Sequence, residues 1–121
     1  MVVRFEKIIL IITKPPYGLE DCFSGLYVAV ACLNSSLRCN VIFIGDGVYA
    51  ALAQQNTEKL SVPSVEDLIY ALLPDAKLYI HKKSLLERGI PESKIIKGIR
   101  LVEDEEVAEL LLREGEGVIT F

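Results

Sequence analysis

Four side chains in this 121-residue chain are the obvious candidates for nucleophilic or proton-transfer chemistry: Cys22, Cys32, Cys39 and the single histidine, His81. A cysteine reacts as its thiolate, which a helix N-terminus or a nearby cation favours. Cys22 stands near the start of a helical pattern, but Glu20 and Asp21 beside it oppose that effect. Its spacing with Phe23 and Leu26 assigns it to an apolar face, so it reads as core, with a nucleophile as the rival reading. Cys32 belongs to the inner side of the same helix, and Cys39 precedes the second strand at its amino end. None has the setting of an activated thiolate. An odd number of cysteines, without CxxC or metal-like spacing, argues against a disulfide framework or a metal site and suits a reducing cytoplasm. His81 is followed by Lys82 and Lys83, whose charge favours a neutral imidazole able to accept or relay a proton. The alternative is a structural or merely exposed imidazole. No Ser/His/Asp or paired-carboxylate pattern is visible in the spacing.

The elements that must position these groups alternate along the chain. "IILIIT" (8–13) is a continuous, largely β-branched run, the pattern of a strand buried on both faces of a parallel sheet. After "KPPYG", the residues Cys22, Phe23, Leu26, Val30, Leu33 and Leu37 recur at helical spacing, with Glu20 and Asp21 in the first turn. Residues 41–44 form a second strand ending at Gly45-Asp46-Gly47, and "VYAALAQQ" reads as a short helix. A polar connection over 56–63 leads to "SVEDLIYALL", which opens on a capping-box-like Ser64 and Asp67 and stops at Pro74. "AKLYI" is the third strand and "SLLERG" one or two helical turns ended by Gly89. A fourth strand falls within 95–101. An amphipathic helix over 104–114 has Val107, Ala108, Leu110 and Leu111 inward, and "GVITF" is the last strand. This order predicts a single-domain α/β fold: a mainly parallel five-stranded sheet, right-handed crossovers and helices on both faces, with Rossmann-like layering.

In such sheets ligands bind outside the carboxyl ends of the strands. Three segments converge there: Lys14 to Gly18, Gly45 to Gly47, and His81 with Lys82 and Lys83. Pro15 and Pro16 fix φ and remove two donors, while Gly18 permits close backbone approach. The turn is either a rigid strand-to-helix connection or one wall of an anion site using free helix amides. Asp46 either caps the segment after it or faces a ligand. The candidate binding residues are thus Lys14, Pro16, Tyr17, Gly18, Asp46, Gly47, His81 and Lys82. No GxGxxG or Walker pattern supports a nucleotide, and no cofactor is implied.

Charge and composition narrow the class further. The net charge of −4 gives no reason to expect direct nucleic-acid binding. It is uneven: residues 81–100 carry six bases and two acids, whereas 103–116 carry seven acids and one base. One end of the fold could attract anions, or the two stretches are simply solvated faces. The first apolar run is too short to span a membrane and lacks a cleavage pattern. A hydrophobic fraction of 51% is high for this size and points to apolar surface shared with other subunits, or else to a core rich in Val, Ile and Leu.

The segments "TKPPYGLEDCFSGL", "FIGDGVYAAL", "LYIHKKSLLERGI" and "GVITF", in this order and spacing, resemble the DsrE/DsrF-like sulfur-relay family, with the greatest likeness to its TusC/DsrF-type subunits. The resemblance spans nearly the whole chain. It implies a small α/β domain working in oligomers with homologous DsrE/DsrF/DsrH-like subunits, or with itself. It also implies persulfide transfer towards tRNA 2-thiouridine synthesis or in sulfur oxidation, with a sulfur-carrier protein as a further partner. In the family's sulfur-carrying subunits a cysteine follows the third strand, and laying "LYIHKKSLLERGI" on that pattern puts His81 at its place. The resemblance therefore implies a cytoplasmic, non-carrier subunit. The alternative is an oligomeric module that binds a small anion or nucleotide on the rim without sulfur chemistry.

Overall fold

The computed structural model describes residues 6–17, 20–53 and 64–121. The elements are β1 (Lys7–Ile12), α1 (Asp21–Asn34), β2 (Arg38–Phe43), a 3-10 segment (Gly45–Ala51), α2 (Val65–Leu72), β3 (Lys77–His81), α3 (Lys82–Glu87), a 3-10 turn (Glu92–Lys94), β4 (Arg100–Val102), α4 (Asp104–Glu114) and β5 (Gly117–Thr120). The strands form one sheet in the order β4-β3-β2-β1-β5, and every pairing is parallel. The α/β expectation, with a five-stranded sheet and helices on both faces, holds.

Strand alternation divides the core. Ile8, Leu10, Ile12, Cys39, Val41, Phe43, Leu78 and Ile80 face α1, α2 and the 3-10 segment in a large apolar cluster. Ile9, Ile42, Tyr79 and Val102 face the other way and share a small cluster with Leu110 of α4. The strands are apolar on both sides because both sides are covered. Gly25 lets α1 approach closely: a Cβ there would lie 2.5 Å from Ile12 Cδ1 and 2.9 Å from the Phe121 ring.

The structure departs from the sequence expectations in several places. The helix expected from "VYAALAQQ" is instead a 3-10 segment starting earlier, at Gly45. Gly47 is pressed against β1, where a Cβ would meet the Ile12 carbonyl oxygen at 1.9 Å. The fourth strand falls at the end of the 95–101 stretch, begins at Arg100 and runs on to Val102. Ile95, Ile96 and Ile99 are buried, but as a core-facing loop in which Ile95 bridges to Leu52 and Gly98 takes φ +103°. Cys39 lies within β2 rather than before it. Ala108 is exposed, and Leu110 is the one buried residue of α4. Ser64 makes no side-chain cap; the capping box is at α4, where the Glu103 and Glu106 side chains bond each other's backbone amides. Gly18 and the 56–63 connection lie outside the described residues.

Candidate functional site

With all strands parallel, β1, β2, β3 and β4 deliver Thr13, Ile44, His81 and Glu103 to one rim of the sheet. His81 is the last residue of β3 and the residue before α3. It is 7% exposed. Both ring nitrogens are engaged. Nδ1 lies 2.7 Å from Ser84 Oγ, and Nε2 contacts the Asp104 carboxylate. An ionised carboxylate only accepts, so Nε2 carries a proton. The Gly45 amide donates to Ser84 Oγ at 2.9 Å. In the neutral tautomer the Ser84 hydroxyl then donates to Nδ1, and one hydrogen-bonded chain runs from the Gly45 backbone through Ser84 and His81 to Asp104.

That chain is a Ser–His–Asp constellation that the spacing did not reveal. Ser84 was detectable, because a residue three positions after a helix-capping histidine faces back towards it. Asp104 was not. It reaches His81 because β3–β4 register pairs His81 with Val102, and α4 starts two residues later. The arrangement is not that of an exposed serine nucleophile. Ser84 is buried, and its oxygen already receives the Gly45 amide. Chemically it is a latch: a buried imidazole ties α3 to the first turn of α4. Its outer end is open, since the Asp104 side chain is 66% exposed. The hydrogen bond from His81 is the largest influence on the Asp104 carboxyl and holds it below its usual range; desolvation opposes it, and the charges of His81 and Lys83 add smaller lowering effects.

The charge bordering the imidazole is therefore that of Asp104. Lys82 instead pairs with Glu103 at 3.6 Å. Asp46 is held by Arg88, whose Nε and Nη2 donate to its Oδ1 at 3.1 and 3.0 Å, while Arg88 Nη1 donates to the Ser84 carbonyl at 3.1 Å. Asp46 lies inside the 3-10 segment rather than capping it, and its side chain stays exposed. Gly47 serves close packing on β1. Asp46 and His81 thus join one network with Arg88, Ser84 and Asp104, and the Lys82–Glu103 pair lies beside it. The β1 turn contributes differently. Lys14 is exposed, Pro16 is buried, and Tyr17 packs on Phe23 with ring centroids 5.9 Å apart while its hydroxyl accepts the Val65 amide at 3.3 Å. These contacts tie the turn to α1 and α2.

The charge asymmetry of the sequence is partly offset by the fold. Lys82, Arg88 and Arg100 are each paired with an acid, two of them from the acidic 103–116 stretch.

All three cysteines are buried. Burial pushes the Cys22 thiol up to about 12. Cys39 is likewise pushed up to about 12 by burial and then by the nearby Cys32, itself raised by burial. Such thiols are the opposite of activated.

A five-stranded parallel sheet with a polar latch on its carboxyl rim defines a layered α/β protein. The DsrE/DsrF-like family matches residues 6–121, and the chain belongs to that family. It is 24% identical over 117 residues to the TusC homolog of Pseudomonas aeruginosa, covering 95% of this chain and 98% of that protein. It is 29% identical over 116 residues to an uncharacterised protein of Methanocaldococcus jannaschii, covering 95% and 99%. Among solved structures it superposes on the ychN protein of E. coli with a TM-score of 0.86 and 25% identity, covering 97% of this chain and all of that one. Among the described residues no helix is long and apolar enough to cross a membrane.

Proposed function

We propose that this chain is a cytoplasmic subunit of a sulfur-relay assembly of the tRNA 2-thiouridine or sulfur-oxidation type, and that it supports persulfide transfer without carrying the sulfur. Membership of the DsrE/DsrF-like family and likeness to a TusC homolog support the relay part. The observation that carries the non-carrier part is His81. It occupies the place where the resemblance puts the family cysteine, and both its ring nitrogens are committed to Ser84 and Asp104. A persulfide carrier needs a nucleophilic sulfur. The cysteines here are buried, with their thiols raised. The partners are homologous small subunits or further copies of this chain, together with a sulfur-carrier protein.

The test is incubation with a cysteine desulfurase and labelled cysteine, followed by intact mass with and without reductant. The native chain should acquire no reducible sulfur adduct; an adduct on any of its cysteines overturns the non-carrier reading. His81→Cys should gain one, because the substitution places a thiol at the end of β3. Copurification of homologous subunits tests the relay part separately.

A further inference from the structure

On the sheet face that meets α4, four polar side chains stand side by side towards the amino ends of the strands. Asn40 is the register partner of Lys77, Tyr79 follows Lys77 by two residues, and Arg100 is the register partner of Tyr79. Direct pairing and two-residue spacing both keep side chains on one face. Tyr79 is 8% exposed, and among the described residues its hydroxyl has no hydrogen-bond partner. Asn40 is 1% exposed, and its Nδ2 is buried without a partner among the described residues. An unpaired buried donor costs free energy, and the Tyr79 hydroxyl near it is free to donate, so the patch suits an acceptor.

A cavity of about 290 Å³ opens beside them, lined by Ala76, Lys77, Leu78, Tyr79, Gly98 and Arg100. It exists because β4 begins opposite Tyr79, leaving Lys77 and Leu78 without a strand alongside on that edge. No carboxylate lines it. The acids Glu106 and Glu109 line a separate, smaller cavity of about 90 Å³, which shares Tyr79 and Arg100 and adds Arg113. Arg100 spends one N–H on Glu106 at 3.0 Å, which leaves the rest of its guanidinium fork for another acceptor. Two cations and a hydroxyl donor in a lining that holds no acid suit an anion carrying two charges and several acceptor oxygens.

We propose that this cavity binds a doubly charged tetrahedral oxyanion, inorganic phosphate or the phosphate of a small monoester. Lys77 and Arg100 neutralise the charge, and the Tyr79 hydroxyl orients one oxygen. Along β3 the site runs from Tyr79, about 7 Å from His81, to Lys77, about 13 Å away. It does not depend on the sulfur-relay reading.

Titration of the nitrogen-15-labelled chain with inorganic phosphate or glycerol 3-phosphate, at constant ionic strength and with chloride as control, tests it. Saturable amide shifts should centre on Lys77, Tyr79, Gly98 and Arg100. Tighter binding of the monoester would assign the site to a phosphorylated metabolite, and equal binding would assign it to the free ion. Tyr79→Phe keeps the buried ring and should weaken the dissociation constant about tenfold. Lys77→Met should weaken it by a similar factor. Shifts no larger than those with chloride overturn the proposal. So does saturable binding that maps to Lys14 or Lys82, or binding unchanged in both variants.

Discussion

On one face of the sheet, Leu10, Phe43 and Ile80 are buried with side chains from α1, α2 and α3; on the other, Ile9, Ile42 and Tyr79 share a core with Leu110 of α4. The first face is held by apolar volume. The second has little of it and is fastened by polar contacts at both ends of one helix. At the rim these are His81 with Asp104 and Lys82 with Glu103; along the helix, Arg100 pairs with Glu106. At the other end Lys7 donates to the Arg113 carbonyl at 3.3 Å and Arg38 lies 3.7 Å from Glu114. Hydrophobic burial scales with area and is indifferent to moderate salt, whereas exposed ion pairs are individually weak and screened. The two faces should therefore answer differently to the same perturbation.

The largest contrast lies in core truncation. Phe43→Ala removes a fully buried ring from the apolar face and should cost about 3–5 kcal/mol in denaturant unfolding. Leu110→Ala should cost about 2 kcal/mol, because so few apolar neighbours surround it. Hydrogen exchange should then show α4 opening before the rest of the sheet. Equal costs for the two substitutions would break the comparison. The next effect in size is that of Asp104→Asn, which should lower the melting temperature at neutral pH. The folded-state carboxyl of Asp104 is depressed, so its contribution is present above the unfolded-state value and fades as pH falls through the folded one. The gap between wild type and variant should close on acidification; a gap that persists in acid would assign the effect to packing. The smallest is the response to salt. Raising ionic strength should reduce protection of α4 amides by up to about 1 kcal/mol and leave β1 and β2 amides unchanged. A uniform response across both faces would count against the division.

Much of this fold was legible because the signals were local. Residues 8–12, 41–43 and 78–80 are strands in sequences that bury both faces, and the helix stops at Pro74 and Gly89 need only short-range chemistry. The 95–101 stretch misled for a physical reason. Its isoleucines are buried, as strand residues would be, but they fill the core from a loop with a left-handed glycine. The rim itself followed from topology. What occupied it did not: Asp104 depends on the register of β3 against β4, and Arg88 on the approach of α3 to the 3-10 segment. The charge runs along the chain suggested a basic end and an acidic end, yet pairing across elements brings the two together.

β1 lies between β2 and β5, and the carbonyl of Phe121 accepts both the amide and the hydroxyl of Thr13, at 2.8 and 2.6 Å. Among the described strands, β1 is made before the others and receives its second neighbour from β5, which is made after them. While the ribosome is still translating α4, β2 can pair with β1, but the far edge of β1 stays open. An unpaired apolar edge is a template for mispairing with another chain. Nascent chains stalled before Gly117 should be the aggregation-prone species, and emergence of β5 closes that window.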